Sequence, residues 1–270
     1  MEQNKGTKFA ILPVYLVLNT SASMSDNGAI EAAINLVPQM IDTLERQPSV
    51  ADKIRVEIIR FDKNAEFMFS LGGKSALDEW WEQNRTSAFH ADGETACYGA
   101  AFRLLRSRIE IGTKQIKAED APEPGQKFLV YRPVVFLITD GKPLDKPADR
   151  ERACSELTHF GFSERPNSVC IGVGDAKAEA LKPYGAGKSN TSDNKYAVGN
   201  ISHVFVAKDG VAPADALQKI IPKIIDSIVH SVGNQNNPEK KNPSDERDAF
   251  DLEDIFKPDA DDPYDPFQSI

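Results

Sequence analysis

The chain is short of cysteine, of histidine, of basic charge and of long apolar runs, and each shortage removes a class of protein. Its three cysteines, Cys97, Cys154 and Cys170, are widely spaced in 270 residues. They form no CxxC pair and no even set, so reduced thiols are expected rather than a disulfide framework. His90, His159, His203 and His230 show no HExxH pattern and no metal-ligand spacing. Lysine and arginine number 32 against 41 aspartates and glutamates, a net charge of −9. Eleven acids and four bases fall in residues 233–270, so that stretch carries −7 and the rest of the chain only −2. A nearly neutral body lacks the basic surface that displaces counterions from a phosphate backbone, and no nucleic-acid binding is expected. Near the N-terminus the longest purely apolar run is Val14-Tyr15-Leu16-Val17-Leu18, against the roughly 20 residues of a membrane span. The polar start, Met1 to Lys8, leads into no signal-peptide core. The expectation is a cytoplasmic chain that makes no membrane contact.

What is present is ordinary globular material, 40% hydrophobic, 8% aromatic and 27% charged. Strand-like and helix-like segments alternate. The run at 14–18 suits a strand buried on both faces, and residues 29–45 place apolar side chains at helical spacing, with Pro38 expected to kink them or open a hydrogen bond. Strands are read at 54–61 and 66–71, and a helix over 97–109 with Thr95 placed to cap it. A polar loop follows over 112–132, then a strand at 134–138 ending in Thr139-Asp140-Gly141. A helix near 148–160, a strand at 168–173, a short helix at 177–181, a loop over 184–200, a strand at 203–207 and a helix at 214–232 complete the body. This pattern predicts an α/β fold with a doubly wound, mostly parallel central sheet and helices on both faces. Its binding crevice should lie at the carboxyl ends of the strands, where strand order switches. The body is read as residues 1–232, followed by a disordered acidic linker and tail over 233–270. There Phe250, Leu252, Ile255 and Phe256 sit among aspartates as a docking segment that orders on a partner or folds back on the body.

Two polar clusters follow apolar strands. Asn19-Thr20-Ser21-Ala22-Ser23 puts two short hydroxyls at i and i+2, able to aim at one point. Thr95, in Asp92-Gly93-Glu94-Thr95, and Asp140, in Ile138-Thr139-Asp140-Gly141, supply further oxygens from other loops. An oxygen-only set with few charges suits a hard divalent cation that keeps several waters. Taken singly these residues are turn or cap residues; in this order and context they point to one shared site.

That order resembles the metal-ion-dependent adhesion site of von Willebrand factor A (vWA) domains, written D-x-S-x-S, then a distant Thr, then a distant Asp. The resemblance runs through most of residues 8–232. More narrowly, Leu12-Pro13-Val14-Tyr15-Leu16-Val17-Leu18, the Ser21-x-Ser23-Met24 run and Arg132-Pro133-Val134-Val135-Phe136-Leu137-Ile138-Thr139-Asp140-Gly141-Lys142-Pro143 are similar to the bacterial TerY group of tellurite-resistance and chemical-stress operons. The zinc ribbon of some relatives is missing, since no cysteine lies beyond Cys170. The resemblance implies Ser21, Ser23, Thr95 and Asp140 as ligands of Mg²⁺ or Mn²⁺. It also implies protein partners, among them a serine/threonine kinase and a metal-dependent phosphatase. Asn19 departs from the pattern, because the family has Asp there and its carboxylate touches the metal through water. An amide can still accept a hydrogen bond from a metal-bound water, or the contact is lost; either way one of two formal negative charges is gone. The cation is therefore expected to bind weakly or not at all.

The reading is a non-enzymatic protein-binding module in which a partner carboxylate completes the shell of a cation. One alternative is a scaffold with a vestigial metal site that binds through its acidic-aromatic tail. Another is a metal-assisted phosphohydrolase, which lacks a nucleophilic aspartate at position 19 and an evident general base. Gly187-Lys188-Ser189 is no phosphate loop, since Lys182 stands where that motif needs glycine. Cys97, at a helix start where the dipole lowers a thiol pKa, has no oriented partner besides a conceivable His90. It reads as a buried thiol. Trp80-Trp81 fits either an exposed contact patch or a cover for the sheet edge.

Overall fold

A computed structural model of the chain describes residues 9–85, 89, 91, 93–123, 128–141, 143–159, 161–185, 204–233 and 267–269. The apolar run opens strand β1 (Phe9–Asn19), followed by helices α1 (Ala22–Asp26), α2 (Ala29–Ile34), α3 (Leu36–Glu45) and α4 (Pro48–Ala51). A hairpin-like pair, β2 (Ile54–Phe61) and β3 (Ala65–Gly72), leads to α5 (Lys74–Asn84) and the long α6 (Tyr98–Glu119). Then come β4 (Phe128–Val130), β5 (Val134–Thr139), α7 (Pro147–Thr158), β6 (Asn167–Gly172) and α8 (Ala178–Leu181), with a 3₁₀ turn at Lys182–Tyr184. Strand β7 (Val204–Ala207), α9 (Pro213–Gly233) and a short β8 (Phe267–Ser269) complete the order.

The sheet runs β3-β2-β1-β5-β6-β7-β8, with β4 pairing beside β1. It is parallel except at its margins, where β3 and β8 are antiparallel to β2 and β7. Alternation along β1 divides the interior in two. Leu12, Val14, Leu16 and Leu18 join one buried cluster with α2, α3 and α9, while Ile11, Tyr15 and Val17 join the other with α6 and α7. The expected two-faced burial of a parallel sheet is thus met. Because β2 lies on one side of β1 and β5 on the other, strand order switches between β1 and β5. Their carboxyl ends therefore flank a crevice.

A proline in a central strand needs an explanation. The Leu12 N–H donates to the Lys53 carbonyl at 2.7 Å, on the β2 side. Alternation turns Pro13 to the opposite side, where residues 131–133 separate β4 from β5. Its missing donor therefore falls at a gap in the ladder.

Several expectations require correction. The helix over 29–45 keeps its bounds and is interrupted, as Pro38 led one to expect, but as two helices that break at Asn35. Pro38 has no N–H to offer the Ile34 carbonyl and its ring crowds that oxygen, so the break lies a turn ahead of the proline. Helix α6 continues ten residues past the predicted end, into the expected polar loop over 112–132, and strand β4 also falls inside that stretch, paired with β1. At Gly112, within that stretch, a Cβ would stand 2.8 Å from Leu71 Cδ2 and 2.8 Å from the Tyr15 hydroxyl, so glycine admits close packing. Thr95 does not cap α6. The N-cap position is Cys97, which makes no capping bond, and Asp145 Oδ2 instead accepts the Gly99 N–H at 2.6 Å. Cys97 is half-buried rather than buried, while Cys154 and Cys170 are buried. Trp80 and Trp81 lie on α5 and pack against the first cluster, with Trp80 ring centroids 5.4 Å from Phe69 and 6.3 Å from Phe89. They cover the sheet near its β3 margin. Phe250, Leu252, Ile255, Phe256, His90, His203 and most of the 184–200 loop lie outside the described residues.

Candidate functional site

Strand β1 delivers Asn19, fully buried, to the crevice, and the chain then turns into α1. The turn is held across to the loop before α6. Ala22 N–H donates to the Gly93 carbonyl at 2.8 Å, and Gly93 N–H to the Thr20 carbonyl at 3.3 Å. Only glycine fits at 93, since a Cβ would stand 2.3 Å from Asp62 Cβ. Strand β5 delivers Thr139 and Asp140, both buried. The turn after β6 closes the floor with Gly174, whose φ of +58° is a left-handed conformation that glycine adopts freely.

The hydroxyls of Ser21 and Ser23 meet at 3.1 Å. Asn19 Oδ1 accepts the Ser21 N–H at 3.0 Å, and its Nδ2 donates to Thr139 Oγ1 at 3.2 Å and Asp140 Oδ1 at 3.3 Å. On the other side of the carboxylate, Asn27 Nδ2 donates to Asp140 Oδ2 at 3.1 Å. Burial pushes the Asp140 carboxyl above its ordinary range, opposed by hydrogen bonds from Ser23 and Asn27, while the nearby charge of Asp175 pushes it further up. Behind the site the Tyr98 hydroxyl sits 2.7 Å from Thr139 Oγ1 and donates to the Gly141 carbonyl at 2.8 Å, which fixes the β5 exit. These groups open onto a cavity of about 780 Å³ that Ser21, Ser23, Asn27 and Asp140 line, with Glu94, Asp175, Lys177 and Leu144 around it.

Of the sequence-predicted residues, Asn19, Ser21, Ser23 and Asp140 come together. Thr95 is half-buried on the neighbouring loop, its hydroxyl 3.9 Å from Cys97 Sγ, and no hydrogen bond joins it to the other four. Sequence reading missed Asn27, Asp175, Lys177 and the buried Tyr98. Asn27 alone left a trace, as a turn residue four positions after Ser23.

The donor set has the chemistry of a hard-cation site. Two hydroxyls and a carboxylate are the oxygens that Mg²⁺ and Mn²⁺ prefer. Neighbouring ligands at right angles, each about 2.1 Å from Mg²⁺, stand about 3 Å apart, close to the 3.1 Å between the serine hydroxyls. Among the described residues no group of three or more His, Cys, Asp or Glu side chains is placed to share an ion, so the hydroxyls would have to supply most of the coordination. Only Asp140, of the residues that meet here, brings a formal negative charge.

Comparison with known proteins agrees with this architecture. Proximal thread matrix protein 1 from the mussel byssus has a similar fold, with a TM-score of 0.52 at 14% identity, over 81% of this chain and 48% of that one. A structure of the same protein described as having a zinc-occupied metal-ion-dependent adhesion motif superposes with a TM-score of 0.51 at 14% identity, over 83% of this chain and 49% of that one. The pilus adhesin SpaC of Lactobacillus rhamnosus GG, in its open conformation, gives 0.54 at 12% identity, over 85% of this chain and 31% of that one. The chain thus spans half or less of the length of these structures. No curated protein sequence matches it. The von Willebrand factor type A domain matches residues 14–209. With the strand order and the strand-end crevice already in place, that match over most of the sequence means that the chain belongs to the von Willebrand factor type A domain family.

Proposed function

We propose that the crevice at the ends of β1 and β5 is a protein-binding surface that holds a divalent cation, Mg²⁺ or Mn²⁺, between Ser21, Ser23 and Asp140. A partner's aspartate or glutamate completes the shell of the ion. The observation that carries this reading is the 3.1 Å pair of serine hydroxyls beside the buried Asp140 at the switch point. Thr95 joins through its loop, which the Ser21–Gly93 bridge ties to the site. With Asn19 neutral, the ion binds more weakly than where an aspartate stands at that position. Loss of a group acting on a metal through its outer contacts typically costs about 10- to 100-fold in affinity. The exposed Leu144, beside the cavity with Lys177, adds an apolar and a cationic contact for the partner. The role is one of adhesion, with no step of bond making or breaking assigned to the site.

The fold likeness to a byssal matrix protein and a pilus adhesin supports a binding role, and the zinc-occupied motif in the former supports a divalent ion. The finer identity rests on the TerY-like runs around Leu12–Leu18 and Arg132–Pro143. They support a bacterial, cytoplasmic stress-response setting with a serine/threonine kinase and a metal-dependent phosphatase as partners. Affinity capture in Mn²⁺ and in EDTA tests the reading, using the full chain, Ser21→Ala and a chain cut after Val232. Capture of the kinase or phosphatase that fails in EDTA and with Ser21→Ala, and survives the cut, is the expected result. Capture indifferent to EDTA and lost on the cut contradicts it and favours binding through Phe250, Leu252, Ile255 and Phe256.

A further inference from the structure

Asn27 does two things at once. Its Oδ1 accepts the Ala29 N–H at 3.0 Å, which ties it to the start of α2, and its Nδ2 donates to Asp140 Oδ2 at 3.1 Å. Across the carboxylate, Asn19 Nδ2 occupies Oδ1 at 3.3 Å. Each oxygen of the only carboxylate that meets the serines therefore carries an amide N–H, and both amides are neutral. A buried carboxylate is costly unless its charge is compensated. Here two side-chain amides provide compensation that a cation would otherwise provide.

The two amides differ in freedom. Each holds a backbone N–H on its Oδ1 at 3.0 Å, but Asn19 is fully buried. Asn27 is half-buried and lines the cavity, which Asn19 does not. An ion arriving from the serine side meets a carboxylate already satisfied, and of the two amides only Asn27 has room to withdraw.

We propose that Asn27 is an internal competitor of the cation: it satisfies Asp140 in the ion-free protein and must give up or share Oδ2 when the ion binds, so that it sets the ion affinity of the site. The inference rests on the cation reading above. Asn27 is a positioning residue that acts through Asp140.

Titration calorimetry with Mn²⁺ on the full chain tests it, comparing wild type, Asn27→Ala, Asn27→Ser and Ser21→Ala, with melting temperatures in EDTA and in Mn²⁺. Asn27→Ser retains an oxygen for the Ala29 N–H and removes the amide nitrogen, which separates the helix-start role from the carboxylate role. Both position-27 variants are expected to bind Mn²⁺ about tenfold more tightly, the scale of one lost hydrogen bond to a charged group. They should also melt lower in EDTA and recover more on adding Mn²⁺ than wild type does. Unchanged or weaker Mn²⁺ binding in both variants, with binding abolished by Ser21→Ala, overturns the inference and leaves the cation site standing. Mn²⁺ binding in none of the proteins, or binding indifferent to Ser21→Ala, contradicts the cation site and the inference together.

Discussion

At position 19 the chain carries an amide that is wholly inside the protein, and its neighbours show how one atom changes a site. Nδ2 is a donor aimed at Asp140, whereas a carboxylate in the same place would set two negative charges a hydrogen-bond length apart. Such a pair would need a cation or a proton between them. The residues that formed the motif, Asn19, Ser21, Ser23 and Asp140, were legible because each sits within a few positions of an apolar strand. Asn27 was not, since the residue that gives it meaning lies 113 positions away. Nor was Tyr98, whose partner Thr139 is 41 positions off. A third polar group hidden from sequence reading is Glu57, fully buried on β2, where Arg108 of α6 clasps both its oxygens at 2.6 and 2.9 Å.

Burial pushes the Glu57 carboxyl above its ordinary 4.5, opposed by the hydrogen bonds and charge of Arg108. Because the folded value exceeds the unfolded one, the contribution of Glu57 to stability is full below the unfolded value and is lost as pH rises through the folded value. Arg108→Met leaves that carboxylate unpaired and is expected to cost about 3–5 kcal/mol at neutral pH. Urea denaturation at about pH 5 and about pH 8 checks the sign. Arg108→Met should lose more stability at the higher pH, and Glu57→Gln should flatten the dependence. An equal loss at both values would contradict the assignment of the cost to the charge.

At the scale of the element, periodicity found β1, β2, β3, β5, β6 and β7 and the helices α2, α3, α6, α7, α8 and α9. It missed α1, α4 and α5, β4 inside the expected polar loop and β8 inside the tail expected as disordered, and it failed where a local signal had a tertiary cause. Gly112 opens the stretch expected as a polar loop, yet α6 runs past it with Thr113 and Ile116 buried. Thr95 looked like a cap, yet the α6 N–H at Gly99 is satisfied by Asp145, from a loop 46 residues on. Gly112→Ala measures which effect governs that position. Helix propensity alone favours alanine by about 1 kcal/mol. The new methyl would press on Leu71 and Tyr15 at 2.8 Å, and overpacking typically costs about 1–3 kcal/mol. Net destabilisation of up to about 2 kcal/mol is expected in chemical denaturation; a stabilised variant would show that the α6 packing yields freely.

For the whole molecule, the alternation of elements sufficed for a parallel sheet with two covered faces. The strand order, the antiparallel margins and the short β4 depend on pairings that no window of sequence contains. The β7 margin is closed by β8, whose residues pair as Phe205 with Ser269, Val206 with Gln268 and Ala207 with Phe267. An unpaired edge strand is a template for association with other chains. Removing residues 267–270 should speed amide hydrogen exchange in β7 and promote self-association on concentration. Unchanged β7 exchange would mean that β8 contributes no protection. Among the described residues no helix is long and apolar enough to cross a membrane.

The central claim is that Ser21, Ser23 and Asp140 converge on one cation, and that the neutral Asn19 weakens its hold. Calorimetric titration of the full chain and of Asn19→Asp with Mn²⁺ tests it most directly, with Ser21→Ala as the reference for loss of the site. The account predicts binding at least about tenfold tighter in Asn19→Asp than in the wild-type chain, and binding abolished by Ser21→Ala. Equal, tight binding by wild type and Asn19→Asp, or binding that Ser21→Ala leaves intact, would contradict it.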